Sequence, residues 1–435
     1  MDTLLNVILA IVILSLIIIF HEFGHFLFAK INHVAVNEFC LGLGPKLIKK
    51  TIGGTEFSLR LFPIGGACVM KGESGEDLKS PDSFASKNVW QRVSIVLAGP
   101  VFNFILSFIL ALVMIGIIGI DKPDIVSVEE GSGAETAGIM EGDRITSING
   151  TKVNISRDME LYLSLNNLTG EDVTVGLLRD GKNVTVKVTP EGTTKYYMGF
   201  QYFATDDPME IQVIEDYPAE EAGLRNGDII TKINGIDIKS GKHLQDLIDE
   251  GKVVIDDSEL VVTYERNNKE NTAKFTPIYS TTYSLGIVYN MGREKVGVAE
   301  TVGYSFNEVK FWVKYTVESL KYLLAGRAHQ EDVGSVVKVV DTISDNVEEA
   351  KNYGVQTVVM TLLNFAILIS SNLGVMNLLP IPALDGGRLL IYIVEIIRGK
   401  PLPAEKEALI NIIGFILLMI LMVFLLFNDI RNVFF

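Results

Sequence analysis

The chain has 435 residues, of which 48% are hydrophobic and 21% are charged, and its formal net charge is −15. That length exceeds one ordinary domain and that apolar content exceeds that of an ordinary soluble protein, so the composition favours a membrane protein. The acidic balance excludes a nucleic-acid-binding protein, which would need a basic patch.

The first predicted element is a membrane-spanning helix over residues 1–29. This segment contains no Lys or Arg, and a helix needs roughly 20 apolar residues to cross a bilayer. A cleaved signal peptide is the alternative, but the segment begins with Asp2 rather than a basic residue, and no small-residue cleavage site follows. We therefore expect the helix to be retained.

Three ionisable side chains interrupt this apolar helix in the motif HEFGH. His21 and His25 are four residues apart, so their imidazoles lie on one face of a helix, with Glu22 beside them. This spacing is typical of two zinc ligands with a neighbouring carboxylate that takes a proton from water. A histidine on an apolar face is more often a packed core residue. Three polar groups in a membrane helix are costly unless they are paired, however, so the motif indicates a metal site.

The charge distribution predicts which side of the membrane each segment occupies. Residues 30–92 contain nine basic and six acidic residues, which predicts a cytoplasmic loop. Residues 120–355 contain 24 basic and 40 acidic residues, which is typical of a long exported region with a solvated acidic surface. Cys40 and Cys68 both lie in the cytoplasmic loop, so we expect them to stay reduced as two small buried side chains.

A β-hairpin is predicted within the cytoplasmic loop. Residues 57–61 alternate between apolar and polar side chains, Gly65 and Gly66 indicate a turn, and residues 67–71 can return as the second strand. The second membrane-spanning helix is then predicted over residues 93–119, which are uncharged.

The exported region contains an internal repeat. Residues 134–153 and 219–238 share 11 of 20 positions at an offset of 85. Each copy continues into helix-like and then strand-like segments, so the repeat predicts two small mixed α/β domains, at residues 123–205 and 206–290. An amphipathic helical segment is predicted at residues 300–350, either on the outer membrane surface or packed against the repeated domains.

The third and fourth membrane-spanning helices are predicted at residues 355–385 and 408–428. The third ends in NLLPIPALDGGRLL, residues 377–390, where proline and glycine predict irregular backbone. Such backbone is tolerated at membrane depth only beside protein or a water-filled cavity. The first and third helices run in the same direction, so Asp385 lies at the depth of the histidines and is the candidate third metal ligand. A helix-terminal cap is the alternative role for this residue.

Three motifs together resemble the site-2 protease family of intramembrane zinc metalloproteases: HEFGH, LAGPVFNF at residues 97–104, and SNLGVMNLLPIPALDGGRLL at residues 371–390. The resemblance to the bacterial branch that regulates sigma factors covers nearly the whole chain. It implies a membrane protein with four transmembrane α-helices, a membrane-associated β-hairpin and two extracytoplasmic PDZ domains in the circularly permuted arrangement. It also implies a bacterial inner or plasma membrane location, with the active site toward the cytoplasm.

The resemblance implies roles for individual residues. In the family the hairpin dips into the membrane and pairs with the substrate through its edge, although this chain has Ala67 where Tyr is common. The chain also departs from the family at residues 329–336, which read HQEDVGSV. The residues that the resemblance assigns are the zinc ligands His21, His25 and Asp385, the catalytic Glu22, and the substrate-binding Asn377, Gly65 and Gly66. The alternatives are an asparagine that packs between helices and a hairpin that only packs on the enzyme.

The implied function is cleavage of the transmembrane segments of single-pass membrane proteins, such as anti-sigma factors or remnant signal peptides, after a first extracytoplasmic cut. PDZ domains bind extended chain ends, so the pair would bind peptide C-termini or filter substrates by size; a rigid plug is the alternative. A rival function is a membrane-anchored PDZ peptide-binding protein with a structural metal site, although structural zinc usually has four protein ligands and only three are evident. A zinc-dependent hydrolase of lipids or other small molecules is a second rival, which nothing in the sequence favours.

Overall fold

The structure, a computed structural model, describes residues 2–73, 80–327, 334, 336–400 and 402–434. In that part of the chain the α-helices are α1 (Asp2–Ile31), α2 (Val89–Ile118), α3 (Gly133–Thr136), α4 (Ser156–Leu165), α5 (Pro218–Glu221), α6 (Gly241–Asp249), α7 (Val298–Leu324), α8 (Val336–Lys351), α9 (Val355–Leu378), α10 (Asp385–Arg398) and α11 (Ala404–Phe434). The strands are β1 (Val36–Ile52), β2 (Thr55–Met70), β3 (Ile120–Asp121), β4 (Ile125–Val128), β5 (Arg144–Ile148), β6 (Thr151–Lys152), β7 (Val173–Arg179), β8 (Lys182–Val188), β9 (Glu191–Tyr197), β10 (Phe200–Tyr202), β11 (Ile211–Val213), β12 (Ile229–Ile233), β13 (Ile236–Asp237), β14 (Leu260–Arg266), β15 (Lys269–Phe275), β16 (Ile278–Ser284), β17 (Ile287–Tyr289) and β18 (Arg293–Glu294).

Four helices in the described residues are long and apolar enough to cross a membrane. The candidate spans are Leu5–Ile31, Val89–Ile118, Val355–Leu378 and Glu405–Leu425. The third was predicted to continue to Asp385, but α9 ends at Leu378, because Pro380 and Pro382 cannot donate to a helical hydrogen-bond ladder. Asp385 is instead the first residue of α10, so an irregular segment separates the two helices.

The loop after α1 differs from the predicted hairpin. Strands β1 and β2 form one long antiparallel pair whose turn is at Gly53 and Gly54, both with positive φ. The turn predicted at Gly65 and Gly66 is wrong, since both residues lie inside β2. Glycine allows a sharp change of direction within a strand as readily as a turn between strands.

The bend in β2 creates an edge. Residues 38–41 of β1 pair with residues 66–69 on one side and with residues 56–59 on the other. The two segments that were expected to pair with each other therefore flank the same segment of β1. In the described part of the chain, residues 66–69 pair with β1 alone, so their other side is a free strand edge.

The chain forms two compact units. One comprises residues 1–122, 154–161 and 291–435, and the other comprises residues 123–153 and 162–290. In the first unit α1, α2 and α9 pack against one another, and α10 packs against α2 and α9.

The predicted amphipathic segment at residues 300–350 contains two helices, α7 and α8. Helix α7 packs against α2 and α9, and the ring centroids of Phe306 and Phe108 are 4.3 Å apart. Glu308 on α7 is fully buried and accepts hydrogen bonds from Arg157 at 3.0 and 2.6 Å. Residues 328–333 and 335, which include most of the segment HQEDVGSV, lie outside the described residues.

The second unit contains both copies of the repeat. Each copy has a four-stranded antiparallel sheet, with the order β6-β5-β7-β8 in the first and β13-β12-β14-β15 in the second. The two copies exchange strands: β10 pairs with β11, and β17 pairs with β4. Phe200 accordingly packs in the core of the second copy. The predicted division between residues 205 and 206 therefore separates β10 from β11, its partner in a two-stranded sheet.

Each copy also contains the same buried ion pair. Asp143 is 2% exposed and accepts two hydrogen bonds from Arg179, at 2.7 and 2.6 Å. Asp228 accepts two from Arg266, both at 2.7 Å. The hydrogen bonds from the Arg179 guanidinium lower the pKa of the Asp143 carboxyl. Each pair thus connects the loop before one strand to the end of its neighbour in the sheet: β5 to β7 in the first copy, and β12 to β14 in the second.

Candidate metal centre

Two histidines of α1 bring their Nε2 atoms together inside the first unit. His21 and His25 are each 8% exposed, and their Nε2 atoms are 3.2 Å apart. Their rings meet edge to face, with centroids 4.8 Å apart. The four-residue spacing on a helix therefore directs two nitrogen atoms to one point, as the sequence motif predicts.

Asp385 completes a triangle with these nitrogens. Its Oδ2 atom lies 3.3 Å from the Nε2 atoms of both His21 and His25. Gly386 lets the first turn of α10 pack closely, because a Cβ on this residue would lie 2.1 Å from the carbonyl oxygen of Leu379. The irregular segment before α10 thus carries the aspartate to the histidines.

The triangle fits a zinc ion. Ligand atoms of a tetrahedral zinc ion, with bonds of about 2.0–2.1 Å, lie roughly 3.3–3.4 Å apart, which matches all three sides. The polar neighbours of the buried Asp385 Oδ2 are these two Nε2 atoms, and neither makes a hydrogen bond of good geometry to it. A buried carboxylate oxygen is costly unless it is paired. A cation held by these three atoms would compensate for that burial.

Helix α2 supports the histidines from the other side. The Nδ1 atom of His25 lies 2.9 Å from the carbonyl oxygen of Ile95, so Nδ1–H donates and the Nε2 lone pair faces Asp385. Gly99 of α2 lies directly against both rings, since a Cβ on this residue would be 2.4 Å from His25 Nε2 and 2.8 Å from His21 Cε1. The motif LAGPVFNF, which the sequence analysis used only for the resemblance, thus contains the glycine on which the histidines pack.

Glu22 lies next to the triangle but is not part of it. The group of potential metal ligands in the described residues is His21, His25 and Asp385. The Glu22 carboxylate accepts a hydrogen bond from the backbone N–H of Cys68. Burial raises the pKa of the Cys68 thiol, so this cysteine stays protonated and offers no thiolate to a metal.

A cavity of about 560 Å³ opens beside the triangle. Gly66 and Asn377, two predicted substrate-binding residues, line it, whereas Gly65 lies outside its described lining at the bend of β2. Three polar residues of the lining were not predicted from the sequence: Glu73 after β2, Arg388 on α10 and Asn411 on α11. Arg388 lies inside the motif NLLPIPALDGGRLL, but roles were predicted there only for Asn377 and Asp385.

The free edge of β2 faces this cavity. The N–H groups that point away from β1 are held by carboxylates: Cys68 donates to Glu22, and Met70 donates to Glu73 at 3.3 Å. Glu73 in turn accepts a hydrogen bond of 2.6 Å from Arg388. An extended peptide that displaced these side chains could pair with the strand edge beside Glu22.

Comparisons with known proteins agree with this arrangement. The model of peptidase family M50 matches residues 9–421. Zinc metalloprotease RasP of Shouchella clausii is 29% identical over 460 residues, covering 99% of this chain and 100% of the relative. Regulator of sigma-W protease RasP of Bacillus subtilis is 28% identical over 451 residues, covering 99% of both chains.

A solved structure of the HtrA3 PDZ domain bound to a phage-derived ligand is also similar. It is 20% identical, covers 21% of this chain and 93% of the solved chain, and gives a TM-score of 0.18. That score is too low to indicate a shared fold.

Proposed function

This chain belongs to peptidase family M50 and is a zinc metalloprotease, and we propose that it cuts the membrane-spanning segments of single-pass membrane proteins. The observation that carries this proposal is the triangle of His21, His25 and Asp385. Two of its members, the histidines, lie on a helix that is apolar enough to span a membrane. A protease site in such a helix is reached most directly by a substrate that is itself in the membrane.

His21, His25 and Asp385 hold the zinc ion, and Glu22 moves the proton. Bound zinc acts as a Lewis acid that polarises a carbonyl and makes water nucleophilic near neutral pH. The Glu22 carboxylate lies beside the ligands without being one of them. It takes a proton from the attacking water and delivers it to the nitrogen of the leaving amide.

The edge of β2 holds the substrate in an extended form. A transmembrane helix has every peptide group locked in its own hydrogen-bond ladder, so it must unwind before it can be cut. Residues 66–69 offer a free strand edge on the wall that also carries Glu22. Pairing of the unwound segment with this edge, in the cavity that Asn377 also lines, would place one peptide bond at the proposed zinc ligands.

Substrate choice is proposed from the relatives and the repeats. One relative is a regulator of sigma-W protease, which supports an anti-sigma factor as the substrate; a remnant signal peptide is the other candidate, from the resemblance to the family. The repeats at residues 123–290 are PDZ domains outside the cell membrane, which bind chain ends or exclude proteins that still carry an exported domain. The loop with β1 and β2 faces the cytoplasm, as its basic residues favour.

Cleavage of a single-pass protein by the detergent-purified enzyme tests this proposal. Two substrates would share one transmembrane segment, one with its exported domain and one truncated outside the membrane. We expect mass spectrometry to find a cut within the segment, faster for the truncated form. A third substrate with a segment of consecutive leucines should resist cleavage because it unwinds less readily. Cleavage outside the membrane segment alone would contradict the proposal.

A further inference from the structure

Asn103 on α2 is a buried polar residue beside His21. It is 0% exposed, and its amide nitrogen lies 3.2 Å from His21 Nδ1. Its side-chain oxygen is buried and has no hydrogen-bond partner among the described residues. An amide oxygen in this position costs free energy, since it has lost water and gained nothing.

The orientation of the amide determines which nitrogen of His21 carries the proton. An NH₂ group that donates to Nδ1 keeps the proton on Nε2, the nitrogen that faces Asp385. A metal ligand needs the opposite tautomer, with Nδ1–H donating and Nε2 bare. Rotating the side-chain amide by 180° exchanges its oxygen and nitrogen. The two orientations occupy the same space, so the hydrogen-bond network decides between them. The oxygen then accepts from Nδ1–H.

We infer that Asn103 is the positioning residue of His21: its side-chain oxygen accepts the Nδ1 proton and thereby directs the Nε2 lone pair to the metal. His25 has the same arrangement, with the Ile95 carbonyl oxygen as the acceptor. Since α1 and α2 pack against each other, α2 supplies one acceptor to each histidine. Gly99 lies midway between the two acceptors and provides the space for both rings.

The backbone of Asn103 is held by two hydroxyl groups, one from α9 and one from α2 itself. The hydroxyl of Ser370 on α9 donates to the backbone carbonyl oxygen of Asn103 at 2.8 Å, and the hydroxyl of Ser107 on α2 donates to the same oxygen at 3.0 Å. A third hydroxyl, that of Ser371, lies 3.0 Å from the Ser107 hydroxyl. All of these side chains are buried. The network thus holds the α2 backbone at Asn103 against α9, and the side chain of Asn103 extends from this fixed backbone toward His21.

Zinc affinity tests the inference, by chelator competition with the full-length protein in detergent. Asn103→Leu removes the acceptor at similar volume, and Asn103→Asp keeps an acceptor oxygen. We expect the Leu variant to bind zinc about 10- to 100-fold more weakly, as for other outer partners of metal-bound histidines. The Asp variant should bind within a few-fold of the wild type. If the Leu variant does not fold, Asn103→Ala serves instead, with the same expectation.

Ser370→Ala is the matched control, because it removes one of the two hydroxyl donors to the Asn103 backbone oxygen and leaves the Ser107 donor and the Asn103 side chain in place. We expect it to lower the melting temperature while zinc affinity stays unchanged. Wild-type affinity in the Leu and Ala variants, or equal loss of zinc in the Asp and Leu variants, would overturn the inference. The inference rests on the proposed zinc site, and the wild-type sample separates the two: a wild type that binds no zinc refutes the site itself.

Discussion

His21 and His25 each present one ring nitrogen to α2 and the other to Asp385. The side of each ring that faces α2 has room only because residue 99 is glycine. At the scale of single residues, the close approach of the α2 backbone is therefore as important to the site as the two histidines themselves. A methyl group added here would press directly on His25 Nε2, which we propose as a zinc ligand.

Gly99→Ala should weaken zinc binding and proteolysis together. The added Cβ would lie 2.4 Å from His25 Nε2 and 2.8 Å from His21 Cε1, so at least one ring must leave its position. We expect zinc affinity to fall at least about tenfold, the lower range for disturbed support of a metal ligand. The measurement is zinc content after dialysis against a chelator.

Gly116→Ala is the control for this change. Gly116 lies on the same helix, and an added Cβ there meets nothing within 4 Å. We expect it to retain zinc and activity. Equal zinc retention by both variants would show that the rings do not depend on Gly99.

Asp143→Asn should destabilise the first repeat in a pH-dependent way. The aspartate is paired with Arg179, whose hydrogen bonds lower its pKa in the folded state. Its contribution is present above the unfolded pKa of about 3.9 and is lost as the pH falls through the lower folded value. A hydrogen bond to a charged group contributes about 1.5–3 kcal/mol, and Arg179 is 27% exposed, so we expect a loss toward the lower end of that range. The variant should therefore exchange amide protons faster in the first repeat at pH 7.

At about pH 3 the difference between wild type and the Asp143→Asn variant should shrink. Asp207→Asn, an exposed position in the same unit, serves as the control and should match the wild type at both pH values. A destabilisation of equal size at pH 7 and pH 3 would refute the ionic origin of the effect.

At the scale of elements, the decisive feature is the bend within β2. Because Gly65 adopts a φ of +95°, the strand turns and its last residues become a free edge on the wall of the cavity. The sequence correctly indicated strand on both sides of these glycines, but alternation and glycine alone do not distinguish a bend from a hairpin turn. Residues 56–59 and 66–69 of β2 both pair with β1, and no strand was predicted from the sequence of residues 36–52.

Gly65→Ala should reduce cleavage and leave zinc in place. A residue with a side chain is strained at this φ by about 1–2 kcal/mol, and its Cβ would lie 3.2 Å from the Leu43 side chain. The free edge should therefore shift. The relevant measurement is kcat/KM for a transmembrane substrate together with zinc content.

Gly54→Ala is the control for this change, because it introduces similar backbone strain at the β1–β2 turn, away from the free edge at residues 66–69. Gly54 has a φ of +80°, and an added Cβ there meets nothing within 4 Å. We expect a similar loss of stability without a loss of cleavage. If both variants cleave equally well, the position of the edge strand does not matter to the reaction.

At the scale of the whole molecule, the chain combines a helical unit that carries the triangle with a unit of two strand-exchanged repeats. The sequence predicted the four apolar helices, the ligand spacing on α1 and the existence of two repeats, because each follows from local periodicity or self-similarity. It did not predict the exchange of β10 and β17, since a repeat shows which segments are alike and not which segments pair. Asn103, Ile95 and Arg388 were missed for a related reason: their roles depend on contacts between distant segments.

Fragments of the second repeat test the exchange. Residues 206–290 follow the boundary predicted from the sequence, whereas residues 198–282 have the same length and include β10. Burial of one large apolar side chain such as Phe200 contributes about 1.5–3 kcal/mol, so we expect the second fragment to unfold cooperatively at a clearly higher temperature. Circular dichroism would measure both transitions. Equal stability would contradict the assignment of β10 to the second copy.

We propose above all that the polar residues of α1 form a zinc-dependent catalyst that cuts membrane segments. The most direct measurement compares wild type with Glu22→Gln, using one purified sample of each for both zinc content and cleavage of a truncated single-pass substrate. We predict about one zinc per chain in both proteins and a loss of cleavage of at least about 100-fold in the variant, as for removal of a general base. A variant that retains zinc and cuts at the wild-type rate would contradict the account.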